Sequence, residues 1–159
     1  MDPEEIRVGE LLRQHKATLA TAESCTGGLI GHLVTNVSGS SDYYPGGVIA
    51  YANRVKCEML SVRTETLDRA GAVSQEVAIE MARGVRRLLD TDYGLSVTGI
   101  AGPTGGTPNK PVGLTFIGLV GPGIERCERH VWTHDRLGNK QATARRALQM
   151  LIERLNERT

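Results

Sequence analysis

Residues 18–34 read TLATAESCTGGLIGHLV and join a predicted buried strand, 18–22, to the helical pattern of Leu29, Ile30, Leu33 and Val34. The turn Glu23-Ser24-Cys25-Thr26-Gly27-Gly28 lies between them. A strand that ends in a turn and then enters a helix is typical of α/β proteins, whose sites form beyond the carboxyl ends of strands. This stretch therefore predicts both a fold class and one edge of a candidate site.

The rest of the chain continues the alternation of strands and helices. Further strands are predicted at 47–51, 93–98, 114–120 and 126–132, the last two as an antiparallel hairpin. Helices are predicted at about 3–15 after an Asp2 cap, from an Asn53 cap to about residue 60, and at 74–89 and 141–158. We expect one domain over residues 1–159, folded as a three-layer α/β/α sandwich with a mixed, mostly parallel sheet.

Composition excludes several classes of protein. With 19 Lys and Arg against 18 Asp and Glu, the net charge of +1 indicates no nucleic-acid partner. The three cysteines have no paired zinc-site spacing. No apolar run approaches the ~20 residues that span a bilayer, and the acidic start Met-Asp-Pro-Glu-Glu is unlike a secretory signal. We therefore expect a cytoplasmic protein with no metal and no membrane partner.

Ser24 has two interpretations. Between a strand end and a helix start, free backbone N–H groups point outward and can stabilise an oxyanion when a hydroxyl attacks a carbonyl. The backbone at Cys25, Thr26 and Gly27 would then supply the donors. Serine is also a favoured N-cap, so Ser24 could serve only to begin the helix.

A nucleophilic serine needs a base, and Lys56 is the candidate. No histidine lies in the loops that follow the predicted strands 18–22, 47–51 and 93–98, and lysine is scarce, with four among the 19 basic residues. With Asn53 as N-cap, Lys56 is the third helical residue, where the helix dipole lowers the pKa of an ammonium group and favours a neutral, basic amine. Tyr51, at the end of a strand, could bond to the Ser24–Lys56 pair and relay a proton. The alternative is an ordinary exposed lysine.

A glycine-rich segment, Thr98-Gly99-Ile100-Ala101-Gly102-Pro103-Thr104-Gly105-Gly106, follows a third predicted strand. It matches neither the Walker nor the dinucleotide-binding pattern. Glycines at this density leave backbone N–H groups accessible to an anion or a ribose, but they also suit a plain turn. By itself this segment does not distinguish a binding loop from a turn.

These segments together resemble the C-terminal domain family of the competence/damage-inducible protein CinA, which includes nicotinamide-nucleotide amidases. The resemblance covers nearly the whole chain. It rests on Ala22–Gly28, Gly39-Ser40-Ser41, Gly47–Lys56 (GVIAYANRVK), Gly71-Ala72-Val73-Ser74, Gly99–Pro103 with Gly105-Gly106, and Lys110-Pro111-Val112-Gly113.

The resemblance implies an amidohydrolase that converts nicotinamide mononucleotide to nicotinate mononucleotide and ammonia, without a cofactor. It places the catalytic serine, tyrosine and lysine at Ser24, Tyr51 and Lys56. The substrate-binding positions would be Gly47, Asn53, Thr98, Gly99, Gly102 and Arg136. The segment His134–Lys140 departs from the family's Gly-Asp-Arg and Val-Arg pattern: His134 replaces the glycine and Val-Arg is absent, but Arg136 is retained.

Other interpretations stay open. The chain could be a non-catalytic module that binds pyridine nucleotides and regulates a partner. Cys25 could be the nucleophile, because a helix N-terminus lowers the pKa of a thiol, although its side chain should point away from that of Ser24. The family's name suggests a structural role in DNA uptake, which the near-neutral charge disfavours. We also expect a homo-oligomer, which is common among small enzymes.

Overall fold

The computed structural model describes residues 2–158, so the two terminal residues of the predicted domain lie outside the described part. Six helices and five strands follow one another along the chain. Their bounds are α1 Glu4–His15, β1 Leu19–Glu23, α2 Leu29–Thr35, β2 Gly46–Ile49, α3 Asn53–Leu60, α4 Thr64–Ala70, α5 Gln75–Leu89, β3 Tyr93–Gly99, β4 Leu114–Gly121, β5 Ile124–Val131 and α6 Arg136–Glu157.

The five strands form one mixed sheet in the order β2-β1-β3-β4-β5. Strand β1 lies between β2 and β3 and is parallel to both. The hairpin β4–β5 continues the sheet with antiparallel pairings, so four of the five strands run in the same direction. This confirms the predicted sheet.

Helices cover both faces of the sheet, because alternate side chains of a strand point to opposite faces. Helices α1, α2 and α6 pack with Leu19, Leu95 and Val97 of the sheet in one core. Helices α3 and α5 pack with Ala20 and Ala22 in a second core. The three-layer α/β/α sandwich is therefore confirmed.

Three local predictions were wrong, and one helix was missed. Pro3, not Asp2, is the N-cap of α1, and no side chain caps that end. Ala52, not Asn53, is the N-cap of α3. Helix α4 was not predicted, because a single two-turn helix with one buried residue has little apolar periodicity. Helix α6 begins five residues earlier than expected, where Asp135 accepts a hydrogen bond from the N–H of Gly138.

Within residues 2–158, every helix is too short or too polar to cross a membrane.

Candidate active site

The three segments singled out by the sequence meet at one edge of the sheet. Glu23, the last residue of β1, pairs with Ile49 of β2 on one side and Val97 of β3 on the other. The three parallel strands therefore end at the same level, and the segments that follow them converge. Their convergence is a consequence of strand register, as the sequence predicted.

A cavity of about 340 Å³ opens where these segments converge. Its wall combines the Ser24 turn, the start of α3, the α4–α5 connection, the glycine-rich segment and the start of α6. The residues that line it are Ser24, Cys25, Tyr51, Asn53, Lys56, Ala72, Val73, Thr98, Gly99, Ile100, Ala101, Gly102, Thr104, Gly105 and Arg136.

Ser24 and Lys56 are in direct contact at the floor of this cavity. The Nζ of Lys56 lies 2.9 Å from the Oγ of Ser24, across 32 residues of sequence. Ser24 is 8% exposed and Lys56 only 1%. Ser24 is not a helix cap, because α2 begins at Leu29 and its N-cap is Gly28. The capping interpretation of Ser24 and the exposed interpretation of Lys56 are therefore both wrong.

The amine of Lys56 is buried and has three hydrogen-bond contacts. Burial lowers the pKa of its ammonium group below the ordinary value, because the charged form loses its hydration. Lys56 is the fourth residue of α3, and its side chain extends back past the helix N-terminus. There Nζ donates to the carbonyl oxygens of Ala50 at 2.8 Å and Tyr51 at 3.3 Å.

Tyr51 and Arg136 meet at the mouth of the cavity. The hydroxyl of Tyr51 lies 3.4 Å from Nη2 of Arg136, and the Tyr51 side chain is 64% exposed. Only the carbonyl oxygen of Tyr51 reaches Lys56. The prediction that the Tyr51 hydroxyl bonds to the Ser24–Lys56 pair is thus wrong, because the side chain turns outward from the strand end toward α6.

The turn after Ser24 holds its own backbone in place. The N–H of Gly27 donates to the carbonyl oxygen of Ser24 at 3.1 Å, and the N–H of Ser24 donates to Val97 at 3.1 Å. Of the three predicted oxyanion residues, only Cys25 lines the cavity, and the Gly27 N–H is already engaged. Burial also raises the pKa of the Cys25 thiol to about 12, so Cys25 is protonated at neutral pH and is a poor nucleophile.

The glycine-rich segment forms one wall of the cavity and is anchored from two sides. Thr98 Oγ1 donates to the carbonyl oxygen of Ala72 at 2.9 Å, which joins the wall to the α4–α5 connection. Arg136 Nη1 donates to the carbonyl oxygen of Gly102 at 2.8 Å. Gly102 has a φ of 85° and lies against Val112, where a Cβ would be only 2.4 Å from a side-chain carbon.

Gly47 is the one predicted substrate-binding residue that the structure does not bring to the cavity. It lies within β2, and a Cβ there would be 2.6 Å from the carbonyl oxygen of Thr21. Close packing between strands therefore explains this glycine. Asn53, Thr98, Gly99, Gly102 and Arg136 all line the cavity, and their role in binding substrate stays a prediction.

Two polar residues at the site were not predicted. Glu23 is 2% exposed, and its carboxylate accepts hydrogen bonds from the Ser24 turn and from α2. Asn139, also buried, donates to the carbonyl oxygen of Ala101 at 2.9 Å and accepts from the N–H of His134 at 3.0 Å. Glu23 could have been identified from sequence, because it is an acidic residue at the end of a strand of small and mostly apolar residues. Asn139 had no such signal.

Over the described residues, no cluster of three or more His, Cys, Asp and Glu side chains is arranged to hold a metal ion. The amine of Lys56 and the hydroxyl of Ser24 are the polar groups in contact at the cavity floor. The arrangement suits acyl transfer, in which a serine hydroxyl attacks a carbonyl carbon and an adjacent amine removes its proton.

The family model of the CinA C-terminal domain matches residues 2–155 of the chain. A CinA-like protein of Salinibacter ruber is 52% identical over 142 residues, which are 89% of this chain and 34% of the relative. One from Desulforapulum autotrophicum is 50% identical over 152 residues, 95% of this chain and 36% of the relative. The chain thus spans about a third of the length of these relatives.

Solved structures of the same superfamily share the fold. The CinA superfamily protein KP700603 of Klebsiella pneumoniae superposes with a TM-score of 0.93 at 30% identity, over 97% of this chain and 96% of that one. The competence/damage-inducible protein CihA of Agrobacterium tumefaciens superposes with a TM-score of 0.82 at 38% identity, over 94% and 96%.

Proposed function

Because the chain belongs to the CinA C-terminal domain family, we propose that it hydrolyses the carboxamide of nicotinamide mononucleotide to nicotinate mononucleotide and ammonia. The family supports a role in pyridine-nucleotide metabolism. The observation that carries the hydrolytic chemistry is the 2.9 Å contact between the buried Lys56 amine and the Ser24 hydroxyl. The choice of nicotinamide mononucleotide as substrate rests on the resemblance of the sequence motifs to the family.

The contacts of Lys56 define which way the proton moves. A neutral amine has two hydrogens and one lone pair. The carbonyl oxygens of Ala50 and Tyr51 can only accept, so they take the two hydrogens. The lone pair is then left for the hydroxyl proton of Ser24. The backbone carbonyl of Tyr51 thus accepts a hydrogen bond from Lys56, while its side chain lies at the cavity mouth.

The reaction proceeds by acyl transfer in two halves. Ser24 Oγ forms a bond to the carboxamide carbon while its proton passes to Lys56, and the carbonyl oxygen becomes an oxyanion. The N–H of Cys25 stabilises that oxyanion, since Cys25 is the one predicted donor residue that lines the cavity and the N–H of Gly27 is engaged in the turn. The C–N bond then breaks, Lys56 returns the proton, and ammonia leaves. Water then attacks the ester carbon while Lys56 takes its proton, and Lys56 returns that proton to Ser24 Oγ as the ester bond breaks.

Purified protein incubated with nicotinamide mononucleotide tests this proposal. We expect ammonia and nicotinate mononucleotide in equal amounts, measured by a coupled ammonia assay and by mass spectrometry. The rival function, a non-catalytic module that binds pyridine nucleotides, predicts heat of binding in calorimetry with no ammonia. That second result would overturn the hydrolase and leave the binding module.

Arg136 is expected to hold the substrate phosphate at the cavity mouth. An Arg136→Met variant loses a charge-assisted contact worth about 1.5–3 kcal/mol, so KM should rise roughly 10- to 100-fold with little change in kcat. Steady-state kinetics with nicotinamide mononucleotide measure this. Nicotinamide riboside, which lacks the phosphate, provides the comparison.

The riboside separates phosphate binding from the anchoring of Gly102. If Arg136 binds phosphate, the variant and the wild type should differ little with the riboside. An equal rise of KM for both substrates would assign Arg136 to the glycine-rich wall alone. Arg54→Met is the matched control, since Arg54 is an exposed arginine of α3 that pairs with Glu58 at 2.8 Å, outside the cavity lining.

A further inference from the structure

Glu23 is a buried carboxylate with no role in the chemistry proposed above. Both of its oxygens are occupied by donors from the segment that follows it. Oε1 accepts from the Thr26 hydroxyl at 2.7 Å and from the Ile30 N–H at 2.9 Å, and Oε2 accepts from the Gly31 N–H at 3.0 Å. The side chain of Glu23 therefore closes a loop around Ser24, with one bond inside the turn and two at the start of α2.

The local backbone explains why such a brace is needed. The N-cap of α2 is Gly28, with a φ of 105° and no side chain to satisfy the first N–H groups of the helix. Gly27 also has a positive φ, 61°. Two adjacent glycines give the backbone of the turn conformational freedom. A catalytic serine needs a fixed position instead. The carboxylate of Glu23 supplies the missing acceptor from the strand side and restricts that freedom.

The backbone of Glu23 reaches the other half of the catalytic pair. Its carbonyl oxygen accepts from the N–H of Ala50 at 2.8 Å, and the carbonyl oxygen of Ala50 in turn accepts from Lys56 Nζ at 2.8 Å. One residue thus connects to the nucleophile through its side chain and to the base through its main chain. Both connections run through hydrogen bonds, to Thr26 in the turn and to Ala50 before α3.

We propose that Glu23 is a positioning residue that holds the Ser24 hydroxyl in line with the Lys56 amine. This inference deepens the proposed hydrolase and rests on its Ser24–Lys56 pair. Its test includes a readout that does not depend on the substrate. A fluorophosphonate reacts with an activated serine: the Ser24 Oγ–P bond forms, the P–F bond breaks, fluoride leaves and the hydroxyl proton passes to Lys56.

Glu23→Gln is the informative variant. Glutamine keeps the size of the side chain but replaces one acceptor oxygen by a donor, so the N–H of Ile30 or of Gly31 loses its partner. We expect labelling by the fluorophosphonate, followed by intact mass, to slow on the order of 10- to 100-fold, the cost of small misplacements of reacting groups. With nicotinamide mononucleotide, kcat should fall by a similar factor while KM stays within about twofold.

The pH dependence of labelling separates positioning from general loosening. If Glu23 only positions Ser24, the variant should lower the plateau rate without moving the midpoint, because Lys56 stays buried. A site that opens to water would move the midpoint up toward the ordinary pKa of lysine. That shift, or a labelling rate within about twofold of the wild type, would overturn the proposal.

Two further variants keep the result interpretable. Thr26→Val removes only the hydrogen bond inside the turn and leaves the two bonds from Glu23 to α2. It should therefore slow labelling less than Glu23→Gln does. This variant tests the brace even if Glu23→Gln folds poorly. Asp92→Asn is the matched control, because Asp92 Oδ2 accepts from the N–H and the hydroxyl of Thr18 at 2.9 and 3.1 Å, at the opposite end of the sheet. Its labelling should equal that of the wild type, and slowing as large as in Glu23→Gln would overturn the proposal.

Fluorophosphonate labelling also distinguishes failure of this inference from failure of the proposed function. Wild-type protein that is labelled at Ser24 but releases no ammonia would refute the substrate and leave the role of Glu23 testable by labelling. Wild-type protein that stays unlabelled would show that Ser24 is not activated, and the positioning role would fall with it.

Discussion

Replacing Ser24 by alanine is expected to reduce ammonia release from nicotinamide mononucleotide by at least about 10³-fold, because the variant lacks the hydroxyl that we propose as the nucleophile. The loss should appear in kcat, with substrate binding by calorimetry nearly unchanged. The substitution removes one buried oxygen and keeps the backbone bonds of Ser24 to Val97 and Gly27. Thermal unfolding followed by circular dichroism should therefore show an intact fold.

Ser40→Ala provides the matched control for that variant. Ser40 has the same exposed fraction as Ser24, 8%, but lies in a short 3-10 helix, Ser40–Asp42, away from the cavity lining. It should retain wild-type turnover. Undiminished turnover in Ser24→Ala would remove Ser24 from the mechanism. Cys25→Ser should keep its activity, since the protonated thiol has no part in the chemistry.

Lys56→Met is the second change with a large expected effect. Methionine fills nearly the same volume but cannot accept the Ser24 proton, so kcat should fall by about 10³-fold or more. The wild-type rate should rise with pH as Lys56 loses its proton. The midpoint should lie below 10.5, the ordinary pKa of the group, because burial lowers the pKa. The residual rate of the variant should lack this rising limb.

Lys110→Met tests whether any half-buried lysine would give the same result. Lys110 Nζ donates to the carbonyl oxygen of Ala70 at 2.6 Å, but Lys110 lies outside the cavity lining. Its variant should keep the pH profile of the wild type. A Lys56→Met variant with the wild-type profile would show that another group titrates in the rate-limiting step.

Much of the fold and the core of the site could be predicted from sequence because both depend on local patterns. The buried stretch before Ser24 and the turn after it fixed where a parallel strand ends. Parallel strands then bring Tyr51 and Thr98 to the same edge of the sheet. The scarcity of lysine indicated Lys56 as the base, and Ser24 and Lys56 are in contact at the cavity floor.

What the sequence did not predict depends on contacts between distant segments. The side chain of Tyr51 points outward, where its hydroxyl contacts Arg136, 85 residues away. Asn139 matters through Ala101, 38 residues away, and it lies in the part of α6 that precedes the predicted helix start at residue 141. The N-cap of α3 moved by one residue, which neither composition nor periodicity can resolve.

The burial of Lys56 has a consequence for the stability of the whole chain. Between its lowered folded-state pKa and 10.5, the unfolded chain binds a proton at this residue that the folded chain does not. Unfolding therefore takes up a proton, and the free energy of unfolding rises with pH across that interval. Below the interval both states hold the proton, so the folded state bears the whole desolvation penalty of a buried cation. Burial of the proposed base therefore makes the native state least favoured at pH values below the lowered pKa of Lys56.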